Sequence, residues 1–205
     1  MARPRNVAEG LTGPVSGVAA NLLLFRGVWH DVVSAYALDG SELADDVHGG
    51  SPGPVPYEQL VYLDLDGDQF IQTNVVLRGR APHARTFTGT IVDGVLVFDR
   101  LGPDAPQMIG VSGGPGVLVF LPRRVDDSAT ARFHDPDYIR HLGGDQRTRT
   151  TTLYRGGELL RVLTVRGTRI NADPTQRVAQ DPRGPTGSVH DGATVTRIYT
   201  AEENS

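Results

Sequence analysis

The sequence predicts an all-β protein: a single antiparallel, up-and-down β-barrel with a short helix or arm at its N-terminus. Short segments rich in Val, Leu, Ile, Thr, Tyr and Phe recur along the chain, as is typical of strands. Asp-Gly or Gly-Gly pairs, which favour tight hairpins, separate many of these segments. No segment keeps the roughly 3.6-residue apolar period of a long helix. Closure into a barrel is favoured over a sandwich because an open meander leaves exposed edge strands.

The predicted elements follow one another with short connections. Residues 1–24 form an arm that includes a short helix near 17–24. Residues 25–170 form the barrel, for which nine strands are predicted: 26–38, 57–65, 69–78, 84–92, 94–100, 107–111, 116–121, 146–155 and 157–169. Their connections include pairs that supply the positive φ angles of hairpin turns, namely Asp39-Gly40, Asp66-Gly67, Asp93-Gly94 and Gly156-Gly157.

The outer face of the barrel needs a cover, because segments 95–99 and 117–121 are apolar on both faces. The candidates are the N-terminal arm, residues 171–205 and a second subunit, which would make the protein a homodimer. Residues 171–205 are rich in Pro, Gly, Asp and Arg, and we predict a mobile segment or a lid across the barrel mouth. Residues 193–200 could add a final strand.

The acidic stretch at 64–68 raises the alternative of a calcium site. Asp64, Asp66 and Asp68 alternate as in the first half of a helix–loop–helix calcium loop. Such a loop requires Gly at its sixth position and Glu at its twelfth, where this chain has Gln69 and Val75. The flanking residues favour strands, so the sequence predicts a hairpin turn here.

The composition and net charge limit the classes of partner that the protein is expected to bind. The chain has 205 residues, of which 39% are hydrophobic and 21% charged, enough for one domain with a sizeable core. Its net charge of −4 does not favour nucleic acid or a membrane surface. No apolar run reaches the ~20 residues of a membrane-spanning helix, and the N-terminal stretch has no apolar signal core, so a cytoplasmic location is expected.

The sequence lacks two residue types, Cys and Lys, and their absence excludes several kinds of catalytic and binding site. The chain contains no Cys, and all 20 of its basic residues are Arg. Thiol nucleophiles, thiolate metal sites, Schiff-base chemistry and Walker-type phosphate loops are therefore excluded. No paired-histidine metal motif is present, and GVSGGPG (110–116) is a glycine-rich turn without the following helix that a nucleotide-binding loop needs, so we expect no metal and no cofactor.

Several stretches resemble known barrel proteins. FRGVW (25–29), QTN (72–74), FTGTIVDGVLVFD (87–99) and TTTLYRGGELLRVLTVRGTRI (150–170) are similar, in this order, to calycin-like bacterial proteins without an assigned function, which are related to chromophore lyases. Gly27-x-Trp29 resembles the start of the lipocalin barrel. The resemblance implies a calycin-like fold with a ligand cavity. It also implies that Trp29 plugs the closed end and that an Arg packs over it, with Arg169 the first candidate and Arg166 the second.

Four polar residues are candidates for catalysis. Gln72 and Asn74 share a face with Phe70 and Val76, and inside an apolar barrel they would orient a ligand carbonyl or enolate. The alternative is that this face is exposed and that Ile71, Thr73 and Val75 point inward.

Arg149 and Tyr154 complete this set. An inward Arg149 could clamp a carboxylate, a phosphate or a tetronate-like acid, while an outward run of Arg is a solvated face. Tyr154 could donate a proton to a ligand or serve the hairpin structurally.

Aromatic side chains are candidates for contact with the substrate. Trp29, Tyr36, Tyr62, Phe98 and Phe120 are suited to forming an apolar pocket wall, and core packing is the alternative role for each. Tyr57 belongs to the same type. His30 could act as a general base if it faced the interior.

Two functions fit these features. The first is a cofactor-independent cyclase or isomerase, including pericyclic, Diels–Alder-type ring closure of a hydrophobic polyketide-like intermediate, as catalysed by lipocalin-like barrels that the chain resembles. Such chemistry needs mainly a shaped pocket and one or two hydrogen-bond donors. The second is a carrier that binds a lipophilic small molecule without turnover, and the sequence does not separate the two.

Overall fold

The computed structural model describes residues 17–48, 51–78, 84–102, 105–123, 136–155 and 158–189. Within these ranges the chain forms one helix and twelve strands. They are α1 (Val18–Phe25), β1 (Gly27–Tyr36), β2 (Asp45–His48), β3 (Ser51–Pro54), β4 (Tyr57–Asp66), β5 (Gln69–Arg78), β6 (Ala84–Val92), β7 (Val95–Phe98), β8 (Met108–Gly114), β9 (Val117–Pro122), β10 (Asp137–Gly143), β11 (Gln146–Arg155) and β12 (Glu158–Asn171).

Ten of the strands close into one antiparallel barrel in the order β1-β12-β11-β10-β9-β8-β7-β6-β5-β4. From β4 to β12 each strand pairs with the next along the chain, and β1 closes the ring between β4 and β12. The short β2–β3 hairpin forms a separate sheet within the connection from β1 to β4. The predicted all-β barrel with a short N-terminal helix is confirmed.

All nine predicted strands have a counterpart in the barrel, whereas β10 and the β2–β3 hairpin were not predicted. The sequence pattern does not predict strand β10, because the inner face of this strand carries Asp137, Ile139 and His141. Two polar side chains thus interrupt the apolar alternation by which a half-buried strand is recognised.

The acidic stretch at 64–68 forms the β4–β5 hairpin, as predicted. Asp66 pairs with Gln69, and Gly67 adopts a φ of +58° in the turn between them. The Asp64 carboxylate forms a salt bridge with Arg26, with 2.7 Å between Oδ1 and Nε.

The β6–β7 hairpin has the backbone that its sequence predicts. Asp93 and Gly94 have φ angles of 52° and 77°, the two successive positive values that a type I′ turn requires. Gly156-Gly157, also predicted to form a turn, lies outside the described residues.

Helix α1 closes one end of the barrel. Its Val18, Leu22 and Phe25 are buried against Trp29 and the inward side chains of the strands. Asn21 fixes the helix to the β8–β9 hairpin: its Nδ2 donates to Ser112 Oγ (2.9 Å), Gly114 O (2.9 Å) and Val117 O (2.8 Å), and its Oδ1 accepts from Gly116 N (2.9 Å). Within the described residues, no helix is long and apolar enough to cross a membrane.

Residues 172–189 form a strap on the outer wall of the barrel. Val178 and Val189 pack against outward side chains of β1, β4, β5 and β6, which are Val28, Leu60, Tyr62, Val75, Leu77 and Ala84. The strap therefore covers the outer face of β1, β4, β5 and β6, whereas the cover was predicted for segments 95–99 and 117–121, none of whose residues belongs to this cluster. The prediction of a lid across the barrel mouth is wrong for residues 172–189. Residues 193–200, predicted as a final strand, lie outside the described residues.

A buried polar cluster holds the strap in place. Tyr62 Oη donates to Asp181 Oδ2 at 2.8 Å, and Arg183 Nη2 donates to the same oxygen at 2.7 Å. Burial alone would raise the pKa of Asp181, but hydrogen bonds from Arg183 and Tyr62 hold it below its ordinary value. Burial is also the main reason that the pKa of Tyr62 is raised.

We predict that Asn21→Leu lowers the free energy of unfolding by about 2 to 3 kcal/mol, because it leaves buried hydrogen-bonding groups of the β8–β9 hairpin without a partner. Chemical denaturation measures the effect. Leu23→Ala on the exposed side of α1 is the matched control and should cost no more than about 0.5 kcal/mol. Equal losses in the two variants would contradict the role assigned to Asn21.

Candidate ligand-binding site

The strand register shows which side chains face the barrel interior, because successive residues of a strand alternate between faces. Trp29 lies opposite Val61, Val61 opposite Asn74, and Asn74 opposite Arg85, so these side chains share the inner face. Around the ring the inward polar residues include Asp31, Gln59, Gln72, Asn74, Arg85, Asp137, Arg147, Arg149, Thr151 and Arg161. The interior therefore carries charge as well as apolar surface.

Trp29 forms the floor of the interior at the end closed by α1. The side chain is fully buried and its Nε1 donates to Phe25 O at 2.7 Å. Two guanidinium groups lie over the ring, with the Cζ of Arg147 at 4.5 Å and that of Arg169 at 5.2 Å from the ring centroid. Arg169 thus occupies the position that the lipocalin resemblance implied, whereas Arg166 is exposed on the outer face.

Asp31 and Arg147 form a buried ion pair above this floor. Arg147 Nη2 donates to Asp31 Oδ2 at 2.8 Å, and Nε donates to Oδ1 at 3.2 Å. Burial lowers the pKa of Arg147, an effect that the charge of Asp31 opposes. Gly167 leaves the necessary space, since a Cβ there would lie 2.4 Å from Asp31 Oδ1.

Arg149 and Asp137 form a second inward ion pair. Arg149 Nε donates to Asp137 Oδ1 at 2.9 Å and Nη2 donates to Oδ2 at 2.7 Å. Thr151 Oγ1 also donates to Asp137. Burial opposes the charged guanidinium, but the adjacent carboxylate outweighs it, so the pKa of Arg149 is raised. The inward orientation of Arg149, one of the two predicted alternatives, is the one observed.

Gln72 and Asn74 lie side by side on the inner face of β5. Gln72 Nε2 donates to Asn74 Oδ1 at 2.9 Å, and both side chains are half-buried. The alternative in which Ile71, Thr73 and Val75 point inward is wrong. Val75 lies under the strap, and Thr73 forms a hydrogen bond to Thr86 on the outer face, with 2.8 Å between the hydroxyl oxygens.

Three aromatic rings form an apolar ladder inside the barrel. Phe98 contacts Phe70 edge-on with 5.4 Å between ring centroids, and Phe120 in the same manner at 5.0 Å. Phe98 and Phe120 thus face the interior together, and their contact with a ligand stays a prediction.

Other aromatic candidates lie elsewhere. Tyr36 and Tyr62 alternate with inward residues of β1 and β4, so they lie on the outer face, where Tyr62 anchors the strap. The prediction that Tyr36 and Tyr62 line an interior pocket is therefore wrong. Tyr154 follows the inward Leu153 on β11 and also lies outward. His30 faces outward, with its Nε2 2.8 Å from Glu58 Oε2, which does not suit a general base acting in the interior.

Sequence patterns missed most of the interior charge. Asp31, Asp137, Arg85 and Arg161 were not identified as site residues, although all of them are inward and buried. A signal existed for Asp31, because it follows Trp29 by two positions and so shares its face. The partners of the other residues depend on strand pairings that cannot be deduced from local sequence.

The interior is not filled evenly. Inward side chains of β1 and β4 are buried, whereas several elsewhere on the ring remain half-buried. The half-buried inward residues away from Trp29 include Gln72, Asn74, Phe87, Ile91, Phe98, Met108 and Arg149. An inward side chain stays accessible where it borders unfilled space or the solvent at a barrel end, and these residues outline the candidate site.

Comparisons with known proteins support the fold alone. No family model matches the sequence, and no curated protein matches it. The structure is similar to the crystal structure of a protein with unknown function from the DUF3598 family of Nostoc punctiforme PCC 73102, with a TM-score of 0.54 and 19% identity. The match covers 78% of this chain and 53% of that one, so this chain spans about half the length of its neighbour. At such low identity, the likeness shows the fold alone.

We predict that Asp31→Asn lowers the free energy of unfolding by about 3 to 5 kcal/mol, because it leaves the buried Arg147 guanidinium without a counter-charge. Asp145→Asn is the matched control. It removes the carboxylate that pairs with Arg169 on the same tryptophan, but Asp145 is 64% exposed, so the cost should be about 0 to 1 kcal/mol. Similar losses in denaturation of the two variants would contradict the importance of burial.

His141 supplies a prediction for pH. Its ring packs edge-on against Phe25 and Trp29, and burial together with Arg169 lowers its pKa. A histidine whose pKa is lower in the folded state contributes stability above its ordinary value, near 6.5, and loses it as the pH falls below that value.

We therefore expect the stability advantage of the wild type over His141→Phe to shrink as the pH drops from 7 to 5. Denaturation at several pH values measures this, and an NMR titration of the His141 ring checks the cause. A titration midpoint at or above the ordinary histidine pKa would contradict it.

Proposed function

We propose that the protein binds a hydrophobic small molecule inside the barrel, between the Trp29 floor and the Arg149–Asp137 pair. The observation that carries this proposal is the set of half-buried inward residues outlined above. A filled core would bury them, as it buries the inward residues of β1 and β4.

The half-buried inward residues and their neighbours have a composition that suits a small-molecule site. Ligand pockets are mostly apolar, with a few polar groups that orient the ligand. Here the Phe98–Phe120 ladder supplies apolar surface, while Gln72, Asn74 and Arg149 supply polar groups. The resemblance to calycin-like and lipocalin barrels, including relatives of the chromophore lyases, supports the same function.

Cofactor-independent cyclisation or isomerisation of the bound molecule is the second candidate. Asn74 favours it: its Oδ1 is occupied by Gln72, while its Nδ2 makes no hydrogen bond within the described part of the chain. An amide N–H held in this way can donate to a carbonyl or enolate oxygen and stabilise charge that develops there. Aromatic walls could hold a flexible chain in a reactive shape.

We expect the uncharged dye Nile red to bind the wild-type protein and to bind Asn74→Trp at least about tenfold more weakly, a loss of about 1.4 kcal/mol, because the indole occupies the site. Thr90→Trp places the same indole on the outer face of β6 and is the matched control, with no expected change. Fluorescence titration gives the affinities. Equal binding to both variants would place the dye on the surface and contradict an interior site.

Turnover is tested with a small-molecule extract of the source organism. After incubation with the protein, a compound whose retention time changes at constant mass marks isomerisation or cyclisation. Asn74→Leu should abolish this change while Nile red still binds. A compound that is retained by the protein and recovered unaltered supports a carrier instead.

A further inference from the structure

Two ion pairs lie on the described inner face above Trp29, namely Asp31–Arg147 and Asp137–Arg149. Arg169 lies at the floor, where Asp145 pairs with it. Cationic side chains in a low-dielectric interior are costly, and an anion bound among them reduces that cost.

Arg149 is the cation that a ligand can reach. Its Nε and Nη2 are engaged by Asp137, whereas Nη1 makes no hydrogen bond within the described part of the chain. Its side chain is 18% exposed, compared with 4% for Arg147. Asp137 therefore holds the guanidinium in place and leaves one edge for another acceptor, in the planar geometry that suits an oxyanion.

An apolar surface lies beside this pair. Phe120 is directly opposite Asp137 in the pairing of β9 with β10, and Phe98 contacts the Phe120 ring. A molecule with an acidic head and an apolar body would place its head at Arg149 and its body along the two rings.

We propose that the ligand of the barrel is an acid, and that Arg149 binds its carboxylate or an equivalent oxyanion. This inference rests on the proposed function and names the chemical class of the molecule bound. Asp137 acts as a positioning residue, which orients Arg149 without contacting the ligand.

The test compares two probes that differ by one charge: the fluorescent 11-(dansylamino)undecanoic acid and its methyl ester. The full chain should bind the acid at least about tenfold more tightly than the ester, the ratio expected for a hydrogen-bonded charge pair. The ester reports on the apolar part of the site in every variant, and so controls for damage to the fold.

Two substitutions break the same ion pair with opposite expected results. Arg149→Met removes the cation and should reduce the acid-to-ester affinity ratio to about one. Asp137→Asn keeps an amide oxygen that can accept from Arg149 and hold the guanidinium, but it removes the negative charge that opposes a bound anion, so it should raise the ratio above that of the wild type. If the ion pair were only structural, both variants would weaken acid and ester alike. Arg166→Met, on the exposed outer face of β12, is the matched control and should leave the ratio unchanged.

The outcomes separate this inference from the proposed function. Equal binding of acid and ester by the wild type, or tighter binding of the ester, would overturn the inference while the interior site stands. Absence of binding by both probes and by Nile red would overturn the proposed function itself. If Arg149→Met does not fold, a ratio that fails to rise in Asp137→Asn still overturns the inference.

Discussion

The width of a ten-stranded barrel is the constraint on which the rest of the structure depends. A barrel of about eight strands is just wide enough for its own side chains to fill, and the diameter grows with strand number. This barrel has ten. Its chain closes one end with α1 and Trp29, and packs Val33, Tyr57, Leu163 and other residues into a second apolar cluster. The side formed by β5 to β8 is left with accessible inward residues.

Ion pairs occupy the space between the two apolar clusters. The Asp31–Arg147 pair is almost completely buried, and such a pair contributes less to stability than its short distances suggest, because both charges lose their hydration. Its observed contacts indicate a structural use: the guanidinium also covers the Trp29 ring. The Arg149–Asp137 pair differs in its exposure, and this difference is what distinguishes a structural pair from one that can receive a ligand.

Local sequence predicts the elements of this fold better than its site. The Asp66-Gly67 and Asp93-Gly94 turns, the helix before Trp29 and most strands follow from residue type and alternation. Tyr62 was a candidate for the pocket wall, but it lies on the outer face, and its apolar environment comes from the strap, more than a hundred residues away in sequence. Likewise the role of Arg149 depends on Asp137, which lies on β10. This strand was not predicted, because polar residues interrupt its inner face.

The most direct test of an accessible interior that binds an acid at Arg149 is a crystal structure of the protein with 12-bromododecanoic acid, located by the anomalous signal of bromine. The account predicts that the carboxylate lies within hydrogen-bonding distance of Arg149 Nη1 and the bromine lies inside the barrel, with the alkyl chain along Phe98 and Phe120. A bromine site on the outer wall or beneath the strap, with the interior occupied by side chains alone, would contradict it.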